Sequence, residues 1–401
     1  MTFKPEKWIG VGDFIISKYE KKYLQKVIDS NRLSYGPMSK AFESKFSQMH
    51  QTKYGIFCNS GTSALQIALA ALKEVHRWQD DDEVIVPALT FIATSNIVLY
   101  NKLKPVFVDI ELDTYNLDPN KILEKITPKT KCIIPVHLFG QPCTMDPIME
   151  IARSHSLRVI EDSCETMFAN YKGKPVGSFG DIACFSTYIA HFIVTGIGGF
   201  CLTSDPELEM ILRSLMNHGR DPIHLNIDDG DGNHEAEFEE IVSQRLNMNE
   251  IVRLGHSFRA SEFEAAVGLG QLEQADKIVR KRREIARYYK HELASLDELL
   301  ILPQTNQDRD HNFMMFPIII KDGSPKTKEE IVFFLENNKI ETRDILPLLN
   351  QPIYKKLYGD IENQYPVAEF IRKKGFYIGS HQYITDEERA YVVEKLKEAF
   401  E

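Results

Sequence analysis

The sequence has no segment long and apolar enough to cross a membrane as a helix, since none of its apolar runs approaches the roughly 18 residues that such a helix needs. Its N-terminus lacks the charged-then-apolar pattern of a secretory signal. No basic run of the kind that follows nucleic-acid phosphates appears, and the formal net charge of -10 is spread along the chain. We therefore expect a cytoplasmic protein that binds neither membranes nor nucleic acids.

Paired cysteines are also missing. The 6 cysteines include no Cys-x-x-Cys pair, and most of them lie inside apolar runs. In a cytoplasmic chain of 401 residues, this pattern favours reduced and buried thiols over a disulfide framework. Internal repeats and low-complexity segments are absent as well. The chain length indicates two or three structural units with ample residues for a large core.

Over its first half, the sequence alternates short β-rich runs with helical segments. The predicted strands are Tyr54–Cys58, Glu83–Pro87, Pro105–Asp109, Lys131–Val136, Arg158–Ile160, Ile182–Phe185 and Gly199–Leu202. The predicted helices between them are Thr62–His76, Ile92–Tyr100, Asn120–Ile126 and Met145–His155. Apolar strands separated by helices predict a mostly parallel α/β sheet with helices on both faces.

The composition changes near residue 222. The segment 222–250 contains a run of Asp and Gly and predicts a loop insertion at the surface. We expect a large domain at residues 1–270, and a linking helix with a small α+β domain at residues 271–401. The predicted elements around and beyond this boundary are a long helix at Ala260–Leu296, a strand at Phe313–Ile320, and helices at Lys328–Asn338 and Thr385–Phe400.

One candidate site lies where the first predicted strand passes into a helix, at Asn59–Leu65 (NSGTSAL). Backbone N–H groups at a helix N-terminus bind phosphate with the help of the helix dipole, and the hydroxyls of Thr62 and Ser63 add donors. The alternative is a plain helix cap, which prefers the same residue types. This segment alone does not separate the two.

Two acidic residues, Glu161 and Asp162, end a later β-rich run. Parallel sheets place ligand contacts at the carboxyl ends of their strands. A buried carboxylate there can hold the nitrogen of a pyridine ring protonated, as a pyridoxal cofactor requires. The alternative is an aspartate that caps the helix after the strand.

A serine and a histidine follow the next predicted strand, in the segment Cys184–His191 (CFSTYIAH). The run Thr195–Gly199 (TGIGG) comes next, and its glycines permit a close approach of backbone segments. A histidine can transfer protons near neutral pH, although a single histidine more often has a structural role.

Together and in this order, these segments resemble the DegT/DnrJ/StrS family of sugar aminotransferases and dehydratases. The resemblance covers nearly the whole chain. It also rests on Gly36-Pro37 with Phe42-Glu43, Glu83–Ser95 (EVIVPALTFIATS), Pro105–Asp109 (PVFVD), Val136–Gly140 (VHLFG), Val176–Gly180 (VGSFG), Asn217–Arg220 (NHGR) and Gly268–Glu273 (GLGQLE). It implies an α/β fold of fold-type I, like that of aspartate aminotransferase, with a large, mostly parallel sheet domain and a small C-terminal α+β domain. It further implies pyridoxal or pyridoxamine 5'-phosphate as the cofactor, and a homodimer with shared active sites.

The resemblance implies roles for individual residues. Thr62, Ser63 and Ser186 would hold the cofactor phosphate. Phe91 would stack on the pyridine ring, which is the kind of contact that aromatic rings favour. Asp162 would pair with the pyridine nitrogen.

Other positions are implied less directly. Glu165 would lie near the other edge of the ring, where the aminotransferases often have Gln. Ser257 stands where the family commonly has Asn, in a loop that reaches the phosphate from the neighbouring subunit. Arg220, Arg259 and Arg343 are candidates to contact the substrate diphosphate, because a guanidinium matches phosphate geometry.

The family pattern Phe-Ser-x-Tyr-x-x-Lys ends here at His191 instead of lysine. An imidazole cannot condense with the cofactor aldehyde, because only a primary amine does so. It can still transfer a proton to or from a cofactor that is held without a covalent bond. This substitution marks the 3-dehydratase branch of the family.

Some dehydratases of this branch carry an iron–sulfur cluster on four cysteines. Cys164 stands at the position of the first ligand, but no cysteine follows Gly219-Arg220-Asp221 up to Asn233. We therefore expect no iron–sulfur cluster and no metal.

The resemblance and His191 together imply a dehydratase that removes the 3-hydroxyl of a nucleotide-linked 4-keto-6-deoxyhexose, in deoxysugar or O-antigen biosynthesis. His191 would act as acid and base, and glutamate would be the amino donor. One alternative is a sugar-nucleotide aminotransferase with a non-covalently held cofactor, which a stable aminated product would identify. Another is an inactive relative that acts as a binding protein, which a failure to bind pyridoxamine phosphate would identify.

Overall fold

The computed structural model of the protein describes residues 3–220 and 251–401. The predicted insertion at 222–250 lies outside the described residues. Within the two described ranges, the chain forms a seven-stranded sheet and a four-stranded sheet, with a two-stranded hairpin beside them.

The seven-stranded sheet contains all seven strands predicted for the first half, with ends that agree within three residues. Its strand order is β1-β9-β8-β5-β4-β2-β3, and every neighbouring pair is parallel except for the two pairs that contain β9. The hairpin consists of β6 and β7. In chain order the strands are β1 (Tyr54–Cys58), β2 (Glu83–Pro87), β3 (Lys104–Val108), β4 (Thr130–Ile133), β5 (Arg158–Asp162), β6 (Asn170–Tyr171), β7 (Lys174–Pro175), β8 (Ile182–Ser186) and β9 (Gly199–Thr203).

Helices flank this sheet and bury it. Every residue of β2, β8 and β9 is buried, as expected for strands covered on both faces. Phenylalanine rings from α2, β1 and β9 stack and meet edge to edge inside the core. The helices described in this half are α1 (Lys18–Ser30), α2 (Pro37–Met49), α3 (Gly61–Val75), α4 (Ile92–Tyr100), α5 (Met145–Ser154), α6 (Pro206–Met216) and α7 (Glu262–Leu272).

The C-terminal part of the chain contains the antiparallel sheet, in the order β10-β11-β13-β12, and a hydrophobic cluster of its own. This agrees with the α+β unit predicted there. Its elements are α8 (Ala275–Glu292), β10 (Leu300–Ile301), β11 (Met315–Ile320), α9 (Lys328–Asn337), β12 (Thr342–Asp344), α10 (Pro352–Tyr358), α11 (Pro366–Lys374), β13 (Gly375–Gly379) and α12 (Asp386–Glu398).

The N-terminal segment also packs on this C-terminal unit. Ile9 forms a parallel bridge with Ile340, and the N–H of Val11 donates to Glu341 Oε2 at 2.7 Å. The division of the chain at residues 270 and 271 stays a prediction.

Two helix predictions were wrong. Asn120–Ile126 forms two short 3-10 turns instead of a helix, and the backbone is already extended at Ile126. The helix predicted over Ala260–Leu296 is broken between α7 and α8, where Gln274 has φ -116° and ψ 5°. The side-chain amide of Gln274 donates to Ser17 Oγ at 3.2 Å, so a contact with the start of α1 holds the break.

No helix within residues 3–220 and 251–401 combines the length and the apolar character that crossing a membrane requires.

Candidate active site

A cavity of about 400 Å³ opens at the carboxyl ends of β5 and β8, beside the start of α3. Sheets with parallel strands commonly bind ligands at this edge. The loop between β8 and β9 and the start of β11 complete its wall. Six residues that the sequence singled out line this cavity: Thr62, Phe91, Asp162, Glu165, Ser186 and His191.

The start of α3 provides a geometry suited to phosphate. Ser60 caps the helix, since its Oγ accepts a hydrogen bond from the Ser63 N–H at 3.0 Å. The first N–H groups of the helix, at Gly61 and Thr62, have no acceptor within the helix. Together with the hydroxyls of Thr62 and Ser186, they place donors at the positive end of the helix dipole.

Close packing between α3 and β8 depends on glycine at position 61. A Cβ at Gly61 would lie 2.8 Å from Ser186 Cβ and 2.9 Å from Cys164 Sγ. The hydroxyl of Ser63 is 2.9 Å from Ser60 Oγ, and Ser63 is not among the described residues that line the cavity. The phosphate contact of Ser63 therefore stays a prediction.

Asp162 is buried at the carboxyl end of β5, with 3% of its surface exposed. Its Oδ2 accepts a hydrogen bond from Thr94 Oγ1 at 2.8 Å, and its Oδ1 accepts one from the Cys164 N–H at 3.2 Å. Burial raises the pKa of Asp162, and these hydrogen bonds oppose the rise. A carboxylate held in this way suits a cationic N–H partner. Sequence reasoning missed the part played by Thr94, although it lies in the quoted segment TFIATS.

The neighbouring Glu161 has a different task. Side chains alternate along a strand, so Glu161 points away from the side that Asp162 faces. Its carboxylate accepts hydrogen bonds of 2.7–2.8 Å from the N–H groups of Gly177, Phe179 and Gly180. Glu161 thereby anchors the loop between β7 and β8, and of these two neighbouring carboxylates only Asp162 lines the cavity.

Glu165 faces the same cavity, and one of its oxygens accepts a hydrogen bond from the Phe139 N–H at 3.1 Å. Burial raises the pKa of Glu165 to about 7, and the nearby charge of Asp162 adds to the rise. Near pH 7 this carboxyl is therefore present in both its acid and its base form.

His191 lies in the loop between β8 and β9. Its backbone N–H donates to the Tyr188 carbonyl at 2.9 Å. Its ring Nδ1 is buried and has no hydrogen-bond partner among the described residues. Burial lowers the pKa of His191 to about 3, and the positive charge of Arg282 contributes. The imidazole is therefore neutral at pH 7 and has the capacity to accept a proton.

Two hydroxyls and a glycine close this loop. Thr187 Oγ1 and Thr195 Oγ1 lie 2.6 Å apart and share a hydrogen bond. A Cβ at Gly198 would lie 2.4 Å from the first oxygen and 2.6 Å from the second. Only glycine fits there, so the glycine-containing run that follows His191 serves to close the loop that carries it.

Arg282 in α8 is a residue that sequence reasoning missed. It is 1% exposed, and its guanidinium donates to the Met314 carbonyl at 2.8 Å and to the His191 carbonyl at 3.1 Å. The guanidinium also lies 4.9 Å from the centre of the Phe192 ring. Burial lowers the pKa of Arg282 to about 9. Arg282 joins the loop of His191 to the start of β11, and nothing in the basic sequence of α8 distinguishes it from its exposed neighbours.

The remaining predicted residues are not among the described residues that line the cavity. Ser257 is exposed, and its contact with a neighbouring subunit stays a prediction. Arg259 contacts His218 Nε2 at 3.2 Å, and Arg343 pairs with Glu341. The predicted site residues that are not among the described lining residues are Ser63, Arg220, Ser257, Arg259 and Arg343.

The cavity matches pyridoxal phosphate in its chemistry. Donors at the start of α3 suit the phosphate, and Asp162 suits the protonated pyridine nitrogen. Phe91 stands at the edge of the cavity with 58% of its surface exposed, which leaves its ring free to stack on another ring. The neutral ring of His191, which lines the cavity, supplies a group for proton transfer.

Comparison with known proteins agrees with this chemistry. A model of the DegT/DnrJ/EryC1/StrS aminotransferase family matches residues 15–397. GDP-perosamine synthase of Escherichia coli O157:H7 is 34% identical over 396 residues, which cover 98% of this chain and 99% of that protein. GDP-4-keto-6-deoxy-D-mannose 3-dehydratase of Yersinia pseudotuberculosis is 32% identical over 373 residues, which cover 90% of this chain and 91% of that protein.

The solved structure of E. coli GDP-4-keto-6-deoxy-D-mannose-3-dehydratase with bound hydrated PLP superposes with a TM-score of 0.85 at 28% identity. The match covers 98% of this chain and 100% of that one. The predicted fold-type I architecture is confirmed, and so is the predicted cofactor, pyridoxal or pyridoxamine phosphate. The chain belongs to the DegT/DnrJ/EryC1/StrS aminotransferase family, a family of enzymes that modify nucleotide sugars with this cofactor.

Proposed function

We propose that the protein is a 3-dehydratase of a nucleotide-linked 4-keto-6-deoxyhexose and that it uses pyridoxamine phosphate. The observation that carries this proposal is His191, which lines the cofactor cavity at the position where the family pattern has lysine. No lysine is among the described residues that line the cavity. A cofactor in this cavity is therefore held by hydrogen bonds and packing instead of a covalent bond.

The bound cofactor supplies an amine that condenses with a keto group and a ring that accepts electrons. Asp162 keeps the ring nitrogen protonated, since its carboxylate is fixed by Thr94 and the Cys164 N–H. The start of α3, with Thr62 and Ser186, holds the phosphate. Phe91 packs against the ring.

His191 moves the proton. Its neutral imidazole would take the proton released at the C4′ carbon of the cofactor and would pass it to the 3-hydroxyl of the sugar, which would leave as water. Anionic phosphate groups bound near the ring would raise the pKa of His191, because a nearby negative charge favours the protonated imidazole.

The proposal extends to the partners of the enzyme. The active form is a homodimer with shared sites, in which the exposed Ser257 reaches the cofactor phosphate of the other subunit. Arg220, Arg259 and Arg343 contact the diphosphate of the substrate. Glutamate restores the amine form of the cofactor.

An aminotransferase is the second candidate, because GDP-perosamine synthase is 34% identical over 98% of this chain. That function requires proton transfer without loss of the 3-hydroxyl. Lys172 and Lys174 are the last lysines before His191 in the sequence. Both lie in the β6–β7 hairpin, and neither is among the described residues that line the cavity. The chain would have to use an unanchored cofactor for transamination.

The test is to incubate the protein and pyridoxamine phosphate with GDP- and CDP-linked 4-keto-6-deoxyhexoses, with and without glutamate, and to follow the product mass. A 3-deoxy-4-keto product supports the dehydratase. An aminated sugar that keeps its 3-hydroxyl supports the aminotransferase. If no 4-keto sugar changes, both proposals fail. A His155→Asn variant is the matched control for His191→Asn, since His155 is an exposed histidine at the end of α5.

A further inference from the structure

A second cavity, of about 480 Å³, lies between α8 and the segment that precedes β11. It shares no described lining residue with the cofactor cavity. Its wall is strongly basic, although the protein has a formal net charge of -10. Five of its lining residues carry positive charge: Arg280, Arg283, Arg287, Lys290 and Arg309.

Four of these cations come from one face of α8. Arg280, Arg283, Arg287 and Lys290 follow one another at intervals of three and four residues, which places them on the same side of a helix. With a rise of about 1.5 Å per residue, they extend over about 15 Å. Like charges at this spacing repel one another, so the arrangement carries a cost that a bound anion would remove.

Two of the five cations are already neutralised by carboxylates. Arg283 pairs with Asp310 at 3.0 Å, and Arg309 pairs with Asp308 at 2.8 Å. Arg309 also donates to the Pro142 carbonyl at 3.0 Å, so it is part of the wall.

The other three cations lack such partners. Arg280 and Arg287 donate through Nε to the backbone carbonyls of Asp276 and Arg283, both at 3.3 Å and within the helix itself. Within residues 3–220 and 251–401, no carboxylate forms an ion pair with Arg280, Arg287 or Lys290. Their charged ends are available to a ligand.

An aromatic pair completes the wall. The rings of His311 and Phe313 stack at a centroid distance of 3.7 Å and an angle of 4°. Burial lowers the pKa of His311 to about 3, with contributions from the charges of Lys290 and Arg283. The His311 ring is therefore neutral at pH 7, and the two rings are buried behind the cations of α8.

We propose that this cavity binds a small molecule with two linked phosphates, of the nucleoside diphosphate class. Its volume lies within the usual range of small-molecule sites. Guanidinium groups bind phosphate oxygens in pairs, and three free cations match the charge of a diphosphate. The proposal is independent of the dehydratase function, because it concerns binding and a different set of residues.

The test is calorimetric titration of the holoenzyme, saturated with pyridoxal phosphate, with inorganic pyrophosphate at low salt. The double variant Arg280→Gln/Arg287→Gln removes two exposed, unpaired cations. We expect it to bind pyrophosphate at least about tenfold more weakly than the wild type. The double variant Arg153→Gln/Lys356→Gln removes the same charge from exposed positions elsewhere and should bind as the wild type does.

Free GDP and GDP-mannose distinguish the two sources of a diphosphate. If the site serves the diphosphate of a nucleotide sugar, both ligands lose affinity in the Arg280→Gln/Arg287→Gln variant. If it serves a free nucleotide, only GDP does. Equal affinity of the wild type and this variant for pyrophosphate, or no binding to the wild type at millimolar concentration, would overturn the proposal.

Discussion

The two ends of the cofactor cavity are built in different ways. At one end, both carboxylate oxygens of Asp162 accept hydrogen bonds from the protein, and the residue belongs to a buried strand. At the other end, the ring Nδ1 of His191 has no partner among the described residues, and the loop is held through its backbone. The protein thus fixes the carboxylate of Asp162, which would orient the ligand. Among the described residues it provides no hydrogen-bond partner for the ring Nδ1 of His191.

This difference separates binding from proton transfer. Changes at Asp162 should affect both the affinity for the cofactor and the rate, because a fixed carboxylate acts on the bound ring. Changes at His191 should affect the rate alone.

The largest effect is expected for Asp162→Asn. The amide keeps the size of the side chain but not its charge, so the pyridine nitrogen is no longer held in its protonated form. We expect the turnover number to fall about 10³-fold and the affinity for pyridoxal phosphate to fall with it. Steady-state kinetics and a cofactor titration measure the two effects. Asp113→Asn, at an exposed position, is the control. Unchanged cofactor affinity in Asp162→Asn would contradict the expectation that Asp162 contributes to cofactor binding whereas His191 does not.

His191→Asn should lower the turnover number about 10²-fold, which is the usual contribution of a general acid or base. The affinity for pyridoxamine phosphate should stay within twofold of the wild type, because no covalent bond is lost. Cofactor titration by absorbance, together with single-turnover rates, tests this. A large loss of cofactor affinity would mean that His191 serves mainly to bind.

Arg282→Met should destabilise the protein by about 2 kcal/mol, because the carbonyls of His191 and Met314 lose their buried donor. Urea unfolding measures this loss, with Lys277→Met at an exposed position of the same helix as the control. The turnover number should fall more than the Michaelis constant rises, since the loop of His191 loses its support. A stability change equal to that of the control would contradict the role given to Arg282.

The last effect concerns Glu165 and the pH dependence of stability. Its pKa in the folded protein is about 7, above its value of 4.5 as an ordinary glutamate, so the folded state binds the proton more tightly than the unfolded state does. The cofactor-free protein should therefore lose about 2.5 kcal/mol of stability as pH rises from 5 to 8. Thermal unfolding at several pH values measures this, and Glu165→Gln should weaken the dependence. If the stability of Glu165→Gln depends on pH as steeply as that of the wild type, other titratable groups cause the dependence.

The sequence predicted the Asp162 end of the cavity better than the His191 end. Continuous apolar runs located β5 and β8, and the carboxyl ends of these strands placed Asp162 and Ser186 at the cavity. His191 was found through the family pattern, because one residue type in a loop carries little structural information by itself.

Long-range contacts account for what the sequence did not reveal. Arg282 supports a loop 91 residues away in the chain, and Gln274 ends a helix by contacting Ser17, 257 residues away. The basic cavity was missed for a similar reason. The sequence of α8 shows its cations. The segment 305–313 forms the opposite wall of the cavity, and it comes next to α8 only in the folded chain.

The central claim is that His191 directs the reaction towards loss of the 3-hydroxyl. The most direct measurement is a single turnover of the pyridoxamine phosphate form with one equivalent of GDP-4-keto-6-deoxymannose and no amino donor, followed by mass spectrometry of the sugar nucleotide. We predict a 3-deoxy-4-keto product in the wild type and slower formation of the same product in His191→Asn. A 4-amino product that keeps its 3-hydroxyl would contradict it.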